Sequence, residues 1–251
     1  AISHQAGDKI MEIYQNDFAI YEKSDKSPLT EADLAAHNCI VEGLSKVSAH
    51  PILSEESANI SWQERNTWDT YWLVDPLDGT KEFIKKNGEF TVNIALIKDG
   101  VPIFGVVYAP VLEHTYVGVL GQGAFKITAG VKADISPKAW TKGETWKIVG
   151  SRSHQSPEIQ ALLDSLEGET ELVAMGSSLK LCLVAEGAAN LYPRLGPTCE
   201  WDTGAAQAVV EAAGGKVTII EDATDALKAD AAALRYNQKD SVLNPYFLVS
   251  C

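Results

Sequence analysis

The chain has few basic residues for its size. Its 251 residues include 21 Lys and Arg against 34 Asp and Glu, which gives a formal net charge of −13. A broad positive face for a nucleic-acid backbone is therefore excluded, and we expect no nucleic-acid polymer as a partner. A small anionic substrate is compatible with this charge, because a bound divalent cation reverses the sign of the local field.

Cysteines and long apolar runs are also scarce. The four cysteines, at positions 39, 182, 199 and 251, form no Cys-x-x-Cys pair and no Cys/His cluster with zinc-ligand spacing. No apolar run approaches the roughly 20 residues of a membrane span, and residues 1–5 lack the apolar core of a signal peptide. We expect free thiols in a cytoplasmic protein, with a peripheral position at the inner membrane as an alternative and a monomer or homodimer as the assembly.

The first half of the chain predicts two helices and an antiparallel sheet. Residues 2–21 repeat apolar side chains with a period close to 3.6, which indicates an amphipathic helix. A second helix is expected to begin near Thr30, whose hydroxyl would cap it together with Asp33. Residues 90–120 predict three antiparallel strands, the first two joined by a hairpin turn at Lys98-Asp99-Gly100.

The second half predicts alternating strands and helices, which favours an α/β lobe. Strands are expected at 146–149, 171–174 and 189–192, and helices at 157–166, 179–186 and 203–213. We therefore predict a mixed α/β fold with two lobes in one compact unit. Residues 1–140 would form an α+β lobe with an antiparallel sheet, and residues 141–251 an α/β lobe that completes the active site.

Two carboxylates follow an expected buried strand in the segment Asp-Pro-Leu-Asp-Gly-Thr, residues 75–80. The carboxyl ends of strands are where α/β sheets bind ligands. Pro76 pushes Asp75 towards an extended conformation, so that Asp75 and Asp78 can face one site, with the Leu77 carbonyl as a further oxygen ligand. Crowded anions need a cation, and oxygen-only ligands suit Mg²⁺. The segment therefore predicts a magnesium site that acts on a phosphate.

The residues after Asp78 fit the same interpretation. Gly79 lets the backbone approach a ligand closely, and Thr80 opens a short helix whose N–H groups suit a phosphate. A capped strand-to-helix turn without chemistry is the structural alternative. A phosphatase of the haloacid-dehalogenase type would need two acids in an Asp-x-Asp-x-Thr arrangement. Here the two acids are three residues apart, which disfavours an aspartyl-phosphate intermediate and leaves hydrolysis with a metal.

Three separated acidic motifs together resemble the inositol monophosphatase superfamily. They are Glu55-Glu56 after a short expected strand, residues 75–80, and Trp201-Asp202 at the start of a Gly/Ala-rich helix. The superfamily consists of Mg²⁺-dependent, typically lithium-sensitive phosphatases with a layered αβαβα fold. Six further segments are similar to its bacterial 3′(2′),5′-bisphosphate nucleotidase branch, and the resemblance covers nearly the whole chain. These segments are residues 72–84, 87–97, 105–111, 151–154, 176–180 and 192–197.

The resemblance implies a centre with two or three Mg²⁺ ions. Glu55, Asp75 and the Leu77 carbonyl would hold one ion, and Asp75, Asp78 and Asp202 a second. It further implies that Asp33 accepts a hydrogen bond from the Thr80 hydroxyl and that this pair polarises the attacking water. From the residues alone, Asp33 could instead be only the helix-capping partner of Thr30.

The resemblance also implies which residues surround the substrate. Ser151, His154, Gly176 and Lys180 would surround the nucleotide, with the Lys180 ammonium group suited to a second phosphate. His154 could equally be a surface histidine, and Arg194 either faces the site or covers apolar surface. The metal motifs supply the remaining expected substrate contacts: Glu55, Leu77, Asp78, Gly79, Thr80 and Asp202.

The expected reaction is hydrolysis of the 3′-phosphate of 3′-phosphoadenosine 5′-phosphate, a by-product of sulfate activation, to AMP and phosphate. Two other activities remain open on the same scaffold. One is that of an inositol monophosphatase, and the other is that of a sugar phosphatase of the fructose-1,6-bisphosphatase type. A metal- and nucleotide-sensing protein without catalysis is the alternative from another functional class.

Overall fold

The computed structural model describes residues 1–22, 28–150, 157–221 and 231–251. Its helices are α1 (Ile2–Tyr14), α2 (Glu31–Val47), α3 (Trp62–Arg65), α4 (Thr80–Ile84), α5 (Pro157–Ser165), α6 (Leu179–Ala185) and α7 (Glu200–Ala213), with a 3₁₀ turn at Glu55–Ser57. Its strands are β1 (Ile20–Glu22), β2 (Pro28–Thr30), β3 (Ile52–Ser54), β4 (Thr70–Asp78), β5 (Thr91–Lys98), β6 (Val101–Ala109), β7 (His114–Val119), β8 (Gly123–Thr128), β9 (Val131–Ile135), β10 (Trp146–Gly150), β11 (Thr170–Ala174), β12 (Tyr192–Arg194), β13 (Lys216–Ile219) and β14 (Phe247–Ser250). In these residues, no helix has both the length and the apolar character needed to cross a bilayer.

The largest sheet has seven strands in the order β3-β4-β5-β6-β7-β8-β9. Strand β3 is parallel to β4, whereas all the other neighbours are antiparallel. The predicted hairpin between β5 and β6 is present. Its turn residues Asp99 and Gly100 have φ angles of 50° and 76°, the left-handed conformation that matches the twist of paired strands. The sheet is wider than the predicted three-strand meander, because β8 and β9 extend it at one edge and β4 and β3 at the other.

Helices cover both faces of this sheet. On β4, Leu73 packs in the cluster that contains α7, whereas the next residue, Val74, packs with α1 and α2. Burial on both faces explains why this strand is a nearly continuous apolar run. Helix α7 lies very close to the sheet, since a Cβ atom on Gly118 would lie 2.5 Å from the Ala208 carbonyl oxygen. Nearer the start of α7, a Cβ atom on Gly204 would lie 2.8 Å from the Leu73 side chain, so that α7 also packs closely on β4.

The second half of the chain forms two smaller sheets among the described residues. Strands β10 and β11 are parallel, and β12, β14 and β13 form an antiparallel sheet in that order. The antiparallel sheet was not predicted, although the overall mixed α/β class was. Buried residues from both sides of residue 140, among them Leu53 and Val249, belong to one hydrophobic cluster. The division into lobes at residue 140 stays a prediction.

Three predicted boundaries were wrong. The first helix ends at Tyr14, not near residue 21, because the Asn16 side chain donates a hydrogen bond to the Glu12 carbonyl oxygen at 2.8 Å and closes it. The strand expected at 189–192 begins only at Tyr192, since Asn190 uses its side-chain oxygen to accept the Lys147 N–H of β10.

The third wrong boundary is the start of α7. The helix begins at Glu200, three residues before the predicted Thr203. Asp202 causes the earlier start, because its Oδ2 accepts the Cys199 backbone N–H at 2.7 Å and closes the first turn. An expected metal ligand is therefore also part of the capping structure of its own helix.

Candidate active site

Asp75 and Asp78 lie at the carboxyl end of β4. The pairing of β4 with β5 shifts its register between these two residues, around Pro76. Asp75 is almost fully buried, and its Oδ1 accepts the Leu77 backbone N–H at 3.1 Å. The irregular strand end thus brings two acids, three residues apart, to one site, as the motif predicts.

The neighbouring parallel strand brings Glu55 to the same edge. Ser54 at the end of β3 pairs with Val74 in β4, so the next residues, Glu55 and Asp75, leave the sheet side by side. The Glu55 side chain hydrogen-bonds Asp75, and this contact helps to raise the pKa of Asp75. Glu55 and Asp75 are therefore in direct side-chain contact at this edge of the sheet.

Asp202 completes the acidic cluster from the first turn of α7. One carboxylate oxygen from each of Asp75, Asp78 and Asp202 lies within 4.8 Å of the others. Burial raises the pKa of Asp75 well above its usual value, and the charges of Glu55, Asp78 and Asp202 raise it further. Burial and the Asp78 charge raise the pKa of Asp202 to about 7.

These residues fit a hard divalent cation. Buried carboxyl groups that raise one another's pKa values hold protons in place of a counter-ion, and a cation can take the place of those protons. The donors are all oxygens, which favours Mg²⁺ or a similar ion over zinc or copper.

Asp33 and Thr80 are in contact, and Asp33 hydrogen-bonds both Thr30 and Thr80. Its Oδ2 accepts the Thr30 backbone N–H at 2.8 Å and the Thr30 hydroxyl at 2.6 Å, which caps α2. Its Oδ1 accepts the Thr80 hydroxyl at 3.0 Å. Because Thr80 also begins α4 directly after the acidic turn, Asp33 connects the capped helix to the site.

A cavity of about 360 Å³ opens beside the acids. Five residues expected at the site line it: Asp78, Gly79, Gly176, Lys180 and Asp202. At Gly176 a Cβ atom would lie 2.8 Å from the Glu89 carbonyl oxygen, so that only glycine fits this approach of two segments. Ser151 and His154, the other two expected nucleotide contacts, lie outside the described residues.

The cavity is acidic at the carboxylate cluster and also has three basic side chains on its walls. Lys85, Lys180 and Arg194 all line it. The Lys180 ammonium group lies 5.8 Å from the centre of the Tyr192 ring, and Arg194 donates through Nη2 to the Pro197 carbonyl oxygen at 3.1 Å. Arg194 therefore belongs to the cavity wall, and its guanidinium group is held by the Pro197 carbonyl oxygen.

Sequence reasoning missed two residues that contact Asp78. Ser178 and Asn93 both donate hydrogen bonds to its Oδ2 atom. Both belong to segments that carry the family resemblance, 176–180 and 87–97, but polar residues within such segments have no spacing that reveals a partner. Ser178 is 100 residues from Asp78 in the sequence, and only the fold brings them together.

Glu200 precedes Asp202 by two residues and does not line the cavity. It is buried, its Oε1 accepts the Asn237 backbone N–H at 3.0 Å, and burial raises its pKa to about 7. Arg65, also buried, donates to the Asn237 side chain at 3.0 Å. Glu200 therefore anchors the start of α7 to the loop around Asn237.

Comparison with protein families gives one match over nearly the whole chain. The model of the inositol monophosphatase family matches residues 1–245. The chain is 47% identical over 252 residues to the 3′(2′),5′-bisphosphate nucleotidase CysQ of Salmonella typhimurium, and the alignment covers 99% of this chain and 96% of that protein. The protein of the same name from Haemophilus influenzae is 34% identical over 250 residues, with 99% and 89% covered.

Solved structures give the same result for the fold. The crystal structure of CysQ from Bacteroides thetaiotaomicron, a bacterial member of the inositol monophosphatase family, has a TM-score of 0.84 and 42% identity, with 100% of this chain and 94% of that chain covered. An inositol monophosphatase from Anabaena has a TM-score of 0.71 at 24% identity, with 99% and 87% covered. The second likeness supports the fold alone.

Proposed function

The chain belongs to the inositol monophosphatase family, and we propose that it is a phosphatase that converts 3′-phosphoadenosine 5′-phosphate to AMP and phosphate. The observation that carries this proposal is one cavity that is lined both by the acids Asp78 and Asp202 and by the cations Lys180 and Arg194. Such a cavity suits a substrate with two phosphates. The names of the relatives from Salmonella and Haemophilus, 3′(2′),5′-bisphosphate nucleotidase, support the same substrate class.

The acidic cluster would hold two or three Mg²⁺ ions. The proposed donors are the side chains of Glu55, Asp75, Asp78 and Asp202 and the Leu77 carbonyl. Oxygen-only donors and the raised pKa of buried Asp75 support this set. Bound Mg²⁺ would supply Lewis acidity towards the phosphate oxygens and lower the pKa of a nearby water.

Asp33 and Thr80 would act on the attacking water. Because Thr80 donates its only hydroxyl proton to Oδ1 of Asp33, the lone pairs of its oxygen are left to accept a hydrogen bond from the attacking water. The Asp33 carboxylate is held by Thr30 on its other oxygen, so the acceptor is fixed before the substrate binds. Since water is the nucleophile in this scheme, no covalent enzyme intermediate forms.

Lys180 and Arg194 would bind the 5′-phosphate. The Lys180 ammonium group supplies a point charge, whereas the Arg194 guanidinium can donate to two phosphate oxygens. Gly79 and Thr80 would contribute backbone N–H donors to the phosphate that is cleaved. Ser151 and His154 stay predicted nucleotide contacts, and a cytoplasmic location and a monomeric or homodimeric state stay predictions from the sequence.

A parallel assay tests the proposal. Phosphate release is measured with adenosine 3′,5′-bisphosphate, an inositol phosphate and fructose 1,6-bisphosphate at saturating Mg²⁺, with and without lithium. We expect the adenosine bisphosphate to give the highest kcat/KM, and lithium to inhibit. A higher kcat/KM for inositol phosphate or fructose bisphosphate would show that this compound, and not the adenosine bisphosphate, is the preferred substrate. No release from any of the three would favour the metal- and nucleotide-sensing protein.

Two variants control for the metal centre in this assay. Asp75→Asn and Asp202→Asn each remove one proposed ligand charge, and we expect each to lose most turnover at saturating Mg²⁺. The fold should persist in both, because an uncharged amide is easier to bury than a carboxylate. Circular dichroism and thermal unfolding check the fold. Full activity in either variant would contradict the metal assignment.

A further inference from the structure

The hydrogen bonds of Asp78 are distributed unequally between its two oxygens. Within the described part of the chain, all of them end on Oδ2. This atom accepts the Ser178 backbone N–H at 2.6 Å, the Ser178 hydroxyl at 2.7 Å and the Asn93 side-chain N–H at 3.3 Å. Oδ1 has no donor there, so it is the oxygen left available for a cation.

The Ser178 hydroxyl connects two segments of the acidic cluster. Its Oγ lies 2.7 Å from Oδ2 of Asp78 and also 2.7 Å from the backbone carbonyl oxygen of Asp202. Asn93 donates to the same Oγ at 2.7 Å. Since a hydroxyl has one proton, Asp78 and Asp202 share it, and the end of β4 and the first turn of α7 are tied together through this one atom.

The ordinary role of a serine at this position does not account for the contact. Ser178 is the N-cap residue of α6, where a serine hydroxyl usually accepts a backbone N–H of the helix. Here the side chain makes no cap hydrogen bond. The residue is 1% exposed, so solvent does not satisfy the hydroxyl either. The hydroxyl is directed at the acidic cluster instead of at its own helix.

We propose that Ser178 is a positioning residue for the metal ligands, which holds Asp78 by Oδ2 with Oδ1 towards the cation and keeps Asp202 in register with it. The proposal rests on the proposed metal-dependent function. Hydrogen bonds to a carboxylate are stronger than neutral ones, and groups that orient metal ligands commonly affect metal affinity by about 10–100-fold. Asn93 supports the arrangement, since it donates to both Asp78 and Ser178.

The test compares Ser178→Ala with Thr115→Val. Both variants delete a buried hydroxyl, and the Thr115 hydroxyl bonds His4 at 2.9 Å, in a contact that involves no acid of the cluster. Binding of Mn²⁺ alone, without nucleotide, is measured by calorimetry and by electron paramagnetic resonance. We expect Ser178→Ala to weaken Mn²⁺ binding about 10–100-fold and Thr115→Val to leave it within about twofold.

A kinetic measurement separates positioning from a general loss of structure. In Ser178→Ala the Mg²⁺ concentration for half-maximal activity should rise, while kcat at saturating Mg²⁺ returns to near the wild-type value. Ser178→Cys, which keeps the size and a weak donor, should lie between alanine and wild type, and it takes the place of alanine if that variant does not fold. Unfolding in the presence of a chelator reports the stability of every variant.

Failure of the positioning role and failure of the proposed function give different experimental results. Wild-type metal affinity in Ser178→Ala, or no Mn²⁺ binding by the wild-type chain, overturns the positioning role. If the wild-type chain binds Mn²⁺ but releases no phosphate from adenosine bisphosphate, the proposed substrate is wrong, and the effect of Ser178 on metal affinity is still decided by the binding data.

Discussion

The Thr80 hydroxyl lies 3.0 Å from Oδ1 of Asp33 and joins the first residue of α4 to the first turn of α2 across 47 positions of sequence. The other oxygen of Asp33 is already occupied by the N–H and hydroxyl groups of Thr30. One buried carboxylate thus fixes a helix start through one oxygen and orients a threonine hydroxyl through the other. Loss of its charge should therefore affect both stability and turnover.

Substitution of Thr80 should separate these two effects. We expect Thr80→Val to lower kcat by about 10²–10⁴-fold, the range for loss of a proton-transfer group, with metal affinity unchanged. Thr80→Ser keeps the hydroxyl and is the matched control, so it should retain kcat within a few-fold. Phosphate release and Mn²⁺ binding are measured on both variants. Equal activity of valine and serine would exclude a role for the hydroxyl.

Asp33→Asn should lower both kcat and stability. An asparagine can accept one of the two sets of hydrogen bonds, but its NH₂ group replaces the second acceptor. We expect a kcat loss similar to that of Thr80→Val, together with a decrease of about 0.5–2 kcal/mol in the free energy of unfolding from the weakened cap. Denaturant unfolding measures the second effect. A stability loss with wild-type kcat would leave Asp33 with the capping role alone.

Stabilisation by metal should depend on pH. The folded metal-free protein has raised pKa values at Asp75 and Asp202, about 7 for the latter, so it binds more protons than the unfolded chain. Its stability should therefore fall as pH rises through about 7. Cations bind the ionised carboxylates, so Mg²⁺ affinity should rise over the same range, with release of protons. The increase in Tm on Mg²⁺ addition should be larger at about pH 8 than at about pH 6.

Asp202→Asn is the control for this pH dependence. The amide does not titrate, so the variant should show a smaller change in the Mg²⁺-induced Tm shift between the two pH values. The Tm of the wild-type chain and of Asp202→Asn is measured in chelator and in saturating Mg²⁺ at both pH values, which gives the Mg²⁺-induced Tm shift for each protein at each pH. An Mg²⁺-induced Tm shift that is equal at both pH values in the wild-type chain would contradict the coupling between metal binding and the raised pKa values of Asp75 and Asp202.

The local part of the site could be predicted from the sequence, and the contacts between distant segments could not. The turn that joins Asp75, Asp78 and Thr80 lies within six residues, where proline and glycine restrict the backbone. The capping pair Thr30 and Asp33 is equally local. Such features depend on neighbours in the chain, so their sequence spacing carries the information.

The sequence contains no comparable signal for the contacts of Ser178 or for the close packing of Gly118 on α7. Each depends on where a distant segment lies, and a serine or glycine is common in surface turns. The wrong first-helix boundary has a similar cause: the apolar period continues past Tyr14, but the Asn16 side chain ends the helix. Tertiary and side-chain hydrogen bonds overrode the periodic pattern in these places.

Lys180 should determine the preference for a second phosphate. We expect Lys180→Met to raise KM for adenosine 3′,5′-bisphosphate by about 10–100-fold, because a hydrogen bond to a charged group contributes about 1.5–3 kcal/mol. KM for adenosine 3′-monophosphate, which lacks the 5′-phosphate, should change little. Lys126→Met is the matched control, since Lys126 pairs with Glu186 at 2.8 Å and does not line the cavity. Equal changes in KM for both substrates would show that Lys180 does not bind the 5′-phosphate.

Glu200→Gln should stabilise the protein at high pH. The pKa of buried Glu200 is raised from 4.5 to about 7 in the folded protein, so its favourable contribution is complete below about pH 4.5 and is lost as pH rises through 7. Glutamine keeps an acceptor for the Asn237 N–H without the buried charge. We expect the variant to be more stable on the order of 2–3 kcal/mol at about pH 8, with the difference vanishing near pH 4. The free energy of unfolding of both proteins is measured with denaturant in the presence of a chelator. The acidic cluster is present in both proteins, so its titration drops out of the difference between them. If the difference in unfolding free energy between the two proteins did not change with pH, the pKa of Glu200 would not be raised in the folded protein.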